Sequence, residues 1–181
     1  MLLARKRLGT KMRRPTAPCG SAHARDRPQG NFWAMKKILV ADDDASVRRM
    51  VARVLESAGY ITVAASDGYE AVAKAHAAKP DLILLDLKMP GQGGWEAFEQ
   101  ISRMAGLVPV IVITAWPGQY EQAVRLGIDA LMEKPLDLPL LLQSIETLLC
   151  EPEQERTRRL TAPDFMTRYL AHSGGTLPVS S

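Results

Sequence analysis

The sequence predicts an α/β fold over residues 36–150, a doubly wound, five-stranded parallel sheet with helices on both faces. Five short apolar runs, most of them rich in β-branched residues, alternate with segments whose apolar residues recur three or four positions apart. Right-handed crossovers between such units put helices on both sides of one sheet. Four of the runs also stop at a residue able to touch a phosphate or a metal ion: Asp42, Asp43 and Asp44 after the first, Asp86 after the third, Thr114 after the fourth, and Lys134 with Pro135 after the fifth. Parallel strands bring their carboxyl ends to one edge, where ligands bind, so carboxylates, a hydroxyl and an ammonium are expected to meet there.

The elements follow in order. Lys37–Ala41 is the first strand, and Val47, Met50, Val51, Val54 and Leu55 form the apolar stripe of the helix behind it. Gly59 falls where that helix needs its C-cap. Ile61–Ala65 is the second strand, followed by a helix with Ala71, Val72 and Ala75 on one face, which Pro80 stops before the third strand, Leu82–Leu85. Trp95, Phe98 and Ile101 mark the third helix, and Pro109 interrupts the chain near the start of the fourth strand, Val108–Ile113. Val124 and Leu126 belong to a short fourth helix capped at Gly127, and Ala130–Met132 is the fifth strand. Leu140, Leu141, Ile145, Leu148 and Leu149 form the last stripe.

Composition excludes several classes. The chain of 181 residues is 46% hydrophobic and 24% charged, which is ordinary for a globular protein, and its apolar runs are about five residues long, too short to span a membrane. Two cysteines far apart, Cys19 and Cys150, make neither a disulfide framework nor a cysteine metal site, and a cytoplasmic location is expected. The net charge of +3 hides a division. Residues 1–35 hold eight Lys or Arg against Asp26 alone, whereas residues 36–150 hold eleven basic and fifteen acidic groups. Residues 1–34 read as a basic, disordered extension. Its basic residues would suit a nucleic-acid arm, but Met35 opens the first strand so directly that an upstream extension is the preferred account.

Each chemical residue has an alternative role. An Asp just beyond a strand is often a helix N-cap, and Asp44 ahead of Ala45, Ser46 and Val47 is assigned that task. Asp42 and Asp43 are adjacent acids at the end of a buried strand and repel one another unless a cation compensates them. Asp86 is flanked by Leu85 and Leu87, so a purely structural carboxylate there needs a partner, for which Lys134 is the candidate.

With these residues in place, the segment 36–150 resembles the receiver domain of two-component response regulators, of the stand-alone, chemotaxis-regulator-like kind. Asp42 and Asp43 correspond to the family's acidic pair, Asp86 within LLDLKMPG to its phosphoacceptor, Thr114 and Ala115 to its hydroxyl and small residue, and Lys134 with Pro135 to its lysine and proline. The resemblance implies strand order 2-1-3-4-5 and a cis bond before Pro135. It implies Mg²⁺ held by Asp42, Asp43, Asp86 and the Lys88 backbone carbonyl, with Asp42 acting largely through water. It also implies that Asp86 takes a phosphoryl group from a histidine kinase or a histidine phosphotransfer protein while Thr114, Ala115 and Lys134 bind its oxygens. The output is then contact with a downstream effector protein, with a phosphorylation-dependent homodimer as a further outcome. The implied role is that of a switch and not of an enzyme.

This chain departs from the family pattern at the readout. The switch pair is Thr114 and Leu131, and Leu131 stands where the family has an aromatic residue. Trp116 and Tyr120 are the aromatic substitutes nearest in sequence, or Trp116 simply covers the site. Lys88 and Trp116, each two residues beyond a site residue, flank the path of water to an acyl phosphate and are expected to slow its hydrolysis. Gly91, Gly93 and Gly94 read as a flexible loop. Residues 151–181 read as a short, partly disordered tail with a helix from Pro163 to Ala171, and Arg156, Arg158 and Arg159 as the solvated face of alternating charges. The tail is too short for a DNA-binding output domain, so a stand-alone receiver is preferred. Two other readings stay open: a nucleic-acid-binding regulator acting through the basic arm, and a magnesium-dependent phosphohydrolase using Asp86. The second wants an acid two residues after the nucleophile, where this chain has Lys88.

Overall fold

The structure is a computed structural model that describes residues 36–105 and 107–170. The basic extension of residues 1–34 and the Gly-, Ser- and Pro-rich end of the chain lie outside the described residues. The elements run β1 (Lys37–Ala41), α1 (Ala45–Ser57), β2 (Ile61–Ala65), α2 (Gly68–Ala78), β3 (Leu82–Asp86), α3 (Gly94–Ala105), β4 (Val110–Thr114), α4 (Tyr120–Leu126), β5 (Ala130–Glu133), α5 (Leu138–Cys150), α6 (Glu153–Leu160) and β6 (Arg168–Leu170). All strands are parallel, in the order β2-β1-β3-β4-β5-β6.

The period of two along each strand divides the core between two faces. Leu39, Ile83, Leu85 and Val112 point to one side, where Ala71 and Ala75 of α2, Phe98 and Ile101 of α3, and Ala123 of α4 cover them. Ile38, Val40, Leu84 and Ile113 point to the other, against Val51 and Leu55 of α1 and Leu141, Ile145 and Leu148 of α5. β3 and β4 are buried along their whole length, which is why they read as unbroken apolar runs. Met50, counted into the α1 stripe from sequence, is exposed, and the buried residue of α4 is Ala123, while Val124 and Leu126 are only half-buried.

Helix ends follow the sequence signals. Asp44 caps α1, its carboxylate accepting from the Ser46 and Val47 N–H groups, and those bonds hold its pKa below the ordinary value. Gly127 closes α4 in the left-handed region that glycine reaches without strain.

The tail differs from the sequence reading. Its helix is Glu153–Leu160, not 163–171, and residues 168–170 form a sixth strand beside β5. Arg156 is buried and Arg159 half-buried, because both grip Asp129, a fully buried carboxylate just ahead of β5. Arg156 binds it through Nε at 3.1 Å and Nη2 at 2.7 Å, and Arg159 through Nη2 at 2.7 Å. Asp129 also accepts the Val110 N–H, while Glu151 accepts two bonds from Arg159. Only Arg158 of the three arginines lies exposed, as a solvated face requires.

Candidate functional site

β1, β3 and β5 deliver the charged residues to one edge. Asp42 directly follows β1 and is buried, its N–H donating to Ala65 O and its carbonyl accepting from Arg48 Nη1. Asp86 is the last residue of β3 and is also buried. Lys134 directly follows β5, and its Nζ donates to Asp42 Oδ2 at 2.9 Å and to Asp86 Oδ2 at 2.6 Å. Both remaining oxygens are engaged by backbone: Asp44 N–H donates to Asp42 Oδ1 at 2.8 Å, and Lys88 N–H to Asp86 Oδ1 at 3.0 Å. The Lys134–Pro135 bond is cis.

The loop after Asp86 is more closely packed than its glycines suggest. A Cβ on Gly94 would run into the Asp86 carbonyl and the Leu87 backbone, and Gly94 N–H donates to Leu87 O at 3.0 Å. A Cβ on Gly68 would likewise strike the Gln92 carbonyl. These glycines serve close approach of α3 and α2 to the loop, which fixes the position of Asp86.

Electrostatics at this edge are dominated by carboxylates. Asp42, Asp43 and Asp86 each offer an oxygen within 4.8 Å of the others, and Asp43 is exposed. Burial raises the Asp42 pKa above its ordinary value, against the opposing pull of Lys134 and the Asp44 N–H, with the Asp86 charge adding to the rise. Burial alone would lower the Lys134 pKa, but its bonds to Asp86 and Asp42 and their charges outweigh that and hold the ammonium above its usual value. Three acids are opposed by the Lys134 ammonium and by the Arg48 guanidinium on the Asp42 carbonyl, so negative charge is in excess. Hard carboxylate oxygens this close, open to solvent through Asp43, suit an ion such as Mg²⁺. When bound there, the ion supplies charge neutralisation.

The hydroxyl and the readout residues occupy the neighbouring strands. Thr114, the last residue of β4, is fully buried; its carbonyl accepts from Lys134 N–H at 2.8 Å and its Oγ1 from Trp116 N–H at 3.0 Å. Ala115 follows it, exposed. Lys88 is exposed, and Trp116 keeps 45% of its surface in solvent. Leu131 is completely buried and is paired in register with Tyr169 of β6, whose ring meets Tyr120 edge to face at 6.0 Å. Sequence reasoning missed Asp129, Arg156 and Tyr169. For Asp129 the available signal was an acid placed directly before a strand; for Arg156 and Tyr169 no local signal was present.

The comparisons with known proteins agree with this geometry. Residues 38–146 match the family model of the response regulator receiver domain. The chain belongs to the response regulator receiver family. This receiver is 39% identical over 102 residues to the alkaline phosphatase synthesis transcriptional regulatory protein PhoP of Bacillus subtilis, covering 55% of this chain and 42% of PhoP. It is 35% identical over 130 residues to the transcriptional regulatory protein PdtaR of Mycobacterium tuberculosis, covering 70% of this chain and 60% of PdtaR. The receiver thus spans less than two thirds of these relatives. Among solved structures it resembles a CheY-like receiver domain protein of Methanospirillum hungatei, with 28% identity and a TM-score of 0.61 over 68% of this chain and 98% of that one. It also resembles TrrA of Thermotoga maritima in complex with Mg²⁺ and BeF, with 29% identity and a TM-score of 0.59 over 63% of this chain and 99% of that one. The five-stranded order expected from sequence is present as β2-β1-β3-β4-β5, with β6 added at its open edge. Receivers of response regulators serve phosphorylation-dependent signalling. No described helix is long and apolar enough to cross a membrane.

Proposed function

We propose that the chain is a response regulator receiver whose Asp86 accepts a phosphoryl group from a histidine kinase or histidine phosphotransfer protein and which signals through phosphorylation-dependent contacts with an effector protein. The observation that carries this reading is the bridge from Lys134 Nζ to Asp86 and Asp42, beside the exposed Asp43. A carboxylate oxygen of Asp86 attacks phosphorus in line. The new O–P bond forms as the P–N bond to the donor imidazole breaks, the electron pair returning to that nitrogen, which takes up a proton. Lys134 balances the charge gathering on the phosphoryl oxygens, and the Thr114 hydroxyl and Ala115 N–H complete their binding. Asp42, Asp43, Asp86 and the Lys88 carbonyl would hold Mg²⁺.

The test is phosphotransfer from a panel of histidine kinases to the wild type and to Asp86→Ala, read by intact mass. Wild type is expected to gain one phosphoryl group and Asp86→Ala none. Labelling retained in the variant overturns the assignment.

A further inference from the structure

The added strand β6 is joined to the phosphoryl edge by a short chain of contacts. Thr114 Oγ1 accepts the N–H of Trp116, the second residue of the turn that runs from Ala115 to Gln119. Tyr120 follows that turn as the first residue of α4, and its hydroxyl donates to Thr167 O at 3.0 Å while its ring packs on Tyr169. Tyr169 lies beside the Glu133 carboxylate, and Glu133 is paired in register with Thr114 itself. The residue before β6 and the middle residue of β6 therefore both touch Tyr120, and the latter also lies beside the register partner of Thr114. The strand is only three residues long and half-buried, so its hold on β5 is weak compared with that of the inner strands. The base of the segment is held separately, by Thr167 Oγ1 on Ile128 O, Arg168 N–H on Asp129 O, and the Arg156 and Arg159 grip on Asp129.

We propose that Tyr120 is the residue that couples Asp86 to β6, so that phosphorylation is read out as release of residues 168–170 from the edge of β5. A phosphoryl group on Asp86 draws the Thr114 hydroxyl toward it and ends its bond to the Trp116 N–H. The turn then shifts, Tyr120 moves with it, and Thr167 O and the Tyr169 ring lose their partner. Leu131, which is aliphatic and fully buried, stays in place, and the aromatic that moves comes from the neighbouring strand. Release pivots at Thr167 and Arg168, which stay on Ile128 O and Asp129 O, and uncovers N–H and C=O groups of the β5 edge beyond them. This inference rests on Asp86 being the phosphoacceptor.

Hydrogen exchange followed by mass spectrometry on the full chain tests it in two arms. Without a phosphodonor, Tyr120→Phe keeps the ring and loses the hydroxyl, and exchange at residues 168–170 and 130–133 is expected to quicken about fivefold, as losing one hydrogen bond shifts local opening. With Mg²⁺ and acetyl phosphate, the same peptides of the wild type are expected to lose protection in proportion to labelling, measured by intact mass. Unchanged exchange in unlabelled Tyr120→Phe overturns the latch. Unchanged exchange in fully labelled wild type overturns its coupling to the site. Absence of labelling removes Asp86 as acceptor and the coupling with it, while the first arm still decides whether Tyr120 holds β6.

Discussion

Replacing Lys134 by Met removes the one ammonium that touches both buried carboxylates of the site while keeping a side chain of similar length. In the wild type Nζ lies 2.6 Å from Asp86 Oδ2 and 2.9 Å from Asp42 Oδ2, and the Lys134 side chain is 21% exposed. Breaking a buried pair by removing one partner costs about 3–5 kcal/mol, because the stranded charge has lost its solvent as well as its partner. Partial exposure of the ammonium and the solvent at Asp43 place this site near the lower end, at about 3 kcal/mol. For a folded unit of this size that is a fall in Tm of roughly 10 °C. The assay is thermal unfolding at pH 7 in EDTA, repeated with millimolar Mg²⁺ and again near pH 3. The divalent ion is expected to recover most of the loss, since it supplies positive charge at the same oxygens. Acid is expected to recover it too, by protonating the carboxylates. The sign for the wild type follows from the raised Lys134 pKa: its contribution is fully present below the unfolded lysine value and is lost as pH rises through the folded one. A Lys134→Met protein as stable as wild type in EDTA at pH 7 would refute the claim that this lysine holds an excess of buried negative charge in check.

Three further outcomes are expected. Asp42 has a pKa raised by burial, so the folded state binds its proton more tightly than the unfolded one, and stability falls as pH rises from the ordinary carboxylate value through the folded value. Asp42→Asn should therefore raise Tm in EDTA at pH 7, with the gain fading in acid and the stabilisation by Mg²⁺ much reduced; a variant less stable than wild type at pH 7 counts against it. Arg156→Met should cost about 3–5 kcal/mol by urea unfolding, since it leaves Asp129 buried with Arg159 as its remaining cation, whereas a merely solvated helix face would give a change within about 0.5 kcal/mol. Trp116→Ala and Lys88→Asn should each lose the phosphoryl group from labelled protein several-fold faster than wild type; equal rates in both variants would remove these residues from the water path.

The strands were legible because burial on both faces leaves no alternative to continuous apolar runs, and β3 and β4 show this residue by residue. The site was legible for a related reason. A carboxylate between leucines or a lysine before a proline at a strand end has few structural uses, and the fold brings the ends together. The tail was not legible. EQERTRRL alternates charges as a solvated helix does, and nothing local marks Arg156 and Arg159 as partners of Asp129, more than twenty residues earlier in the chain. The strand RYL was hidden for the same reason: three residues carry too little pattern, and pairing with β5 is what defines them. Gly94 was misread because flexibility and close approach use the same residue, and only the position of the Asp86 carbonyl distinguishes them.

Charge balance separates the two buried ionic centres of the molecule by what each can do. At the amino end of β5, Asp129 and Glu151 are matched by Arg156 and Arg159, two negative charges against two positive, with the Val110 N–H as a further donor. Such a cluster gains nothing from a divalent cation, and its guanidiniums are tied to the carboxylates by paired bonds; it fastens α6 to the sheet. At the carboxyl edge, among the described residues, Asp42, Asp43 and Asp86 are opposed by Lys134 on two of the carboxylates and by the Arg48 guanidinium on the Asp42 carbonyl, three negative charges against two positive. That imbalance costs stability in the absence of an ion, and burial, with the Asp86 charge adding to it, raises the pKa of Asp42. It also suits the edge to a divalent cation such as Mg²⁺, which the proposed phosphoryl transfer calls for. An edge built for stability alone would carry matched charges as the other does, so the unmatched acids are the residues that the proposed phosphoryl-accepting role accounts for.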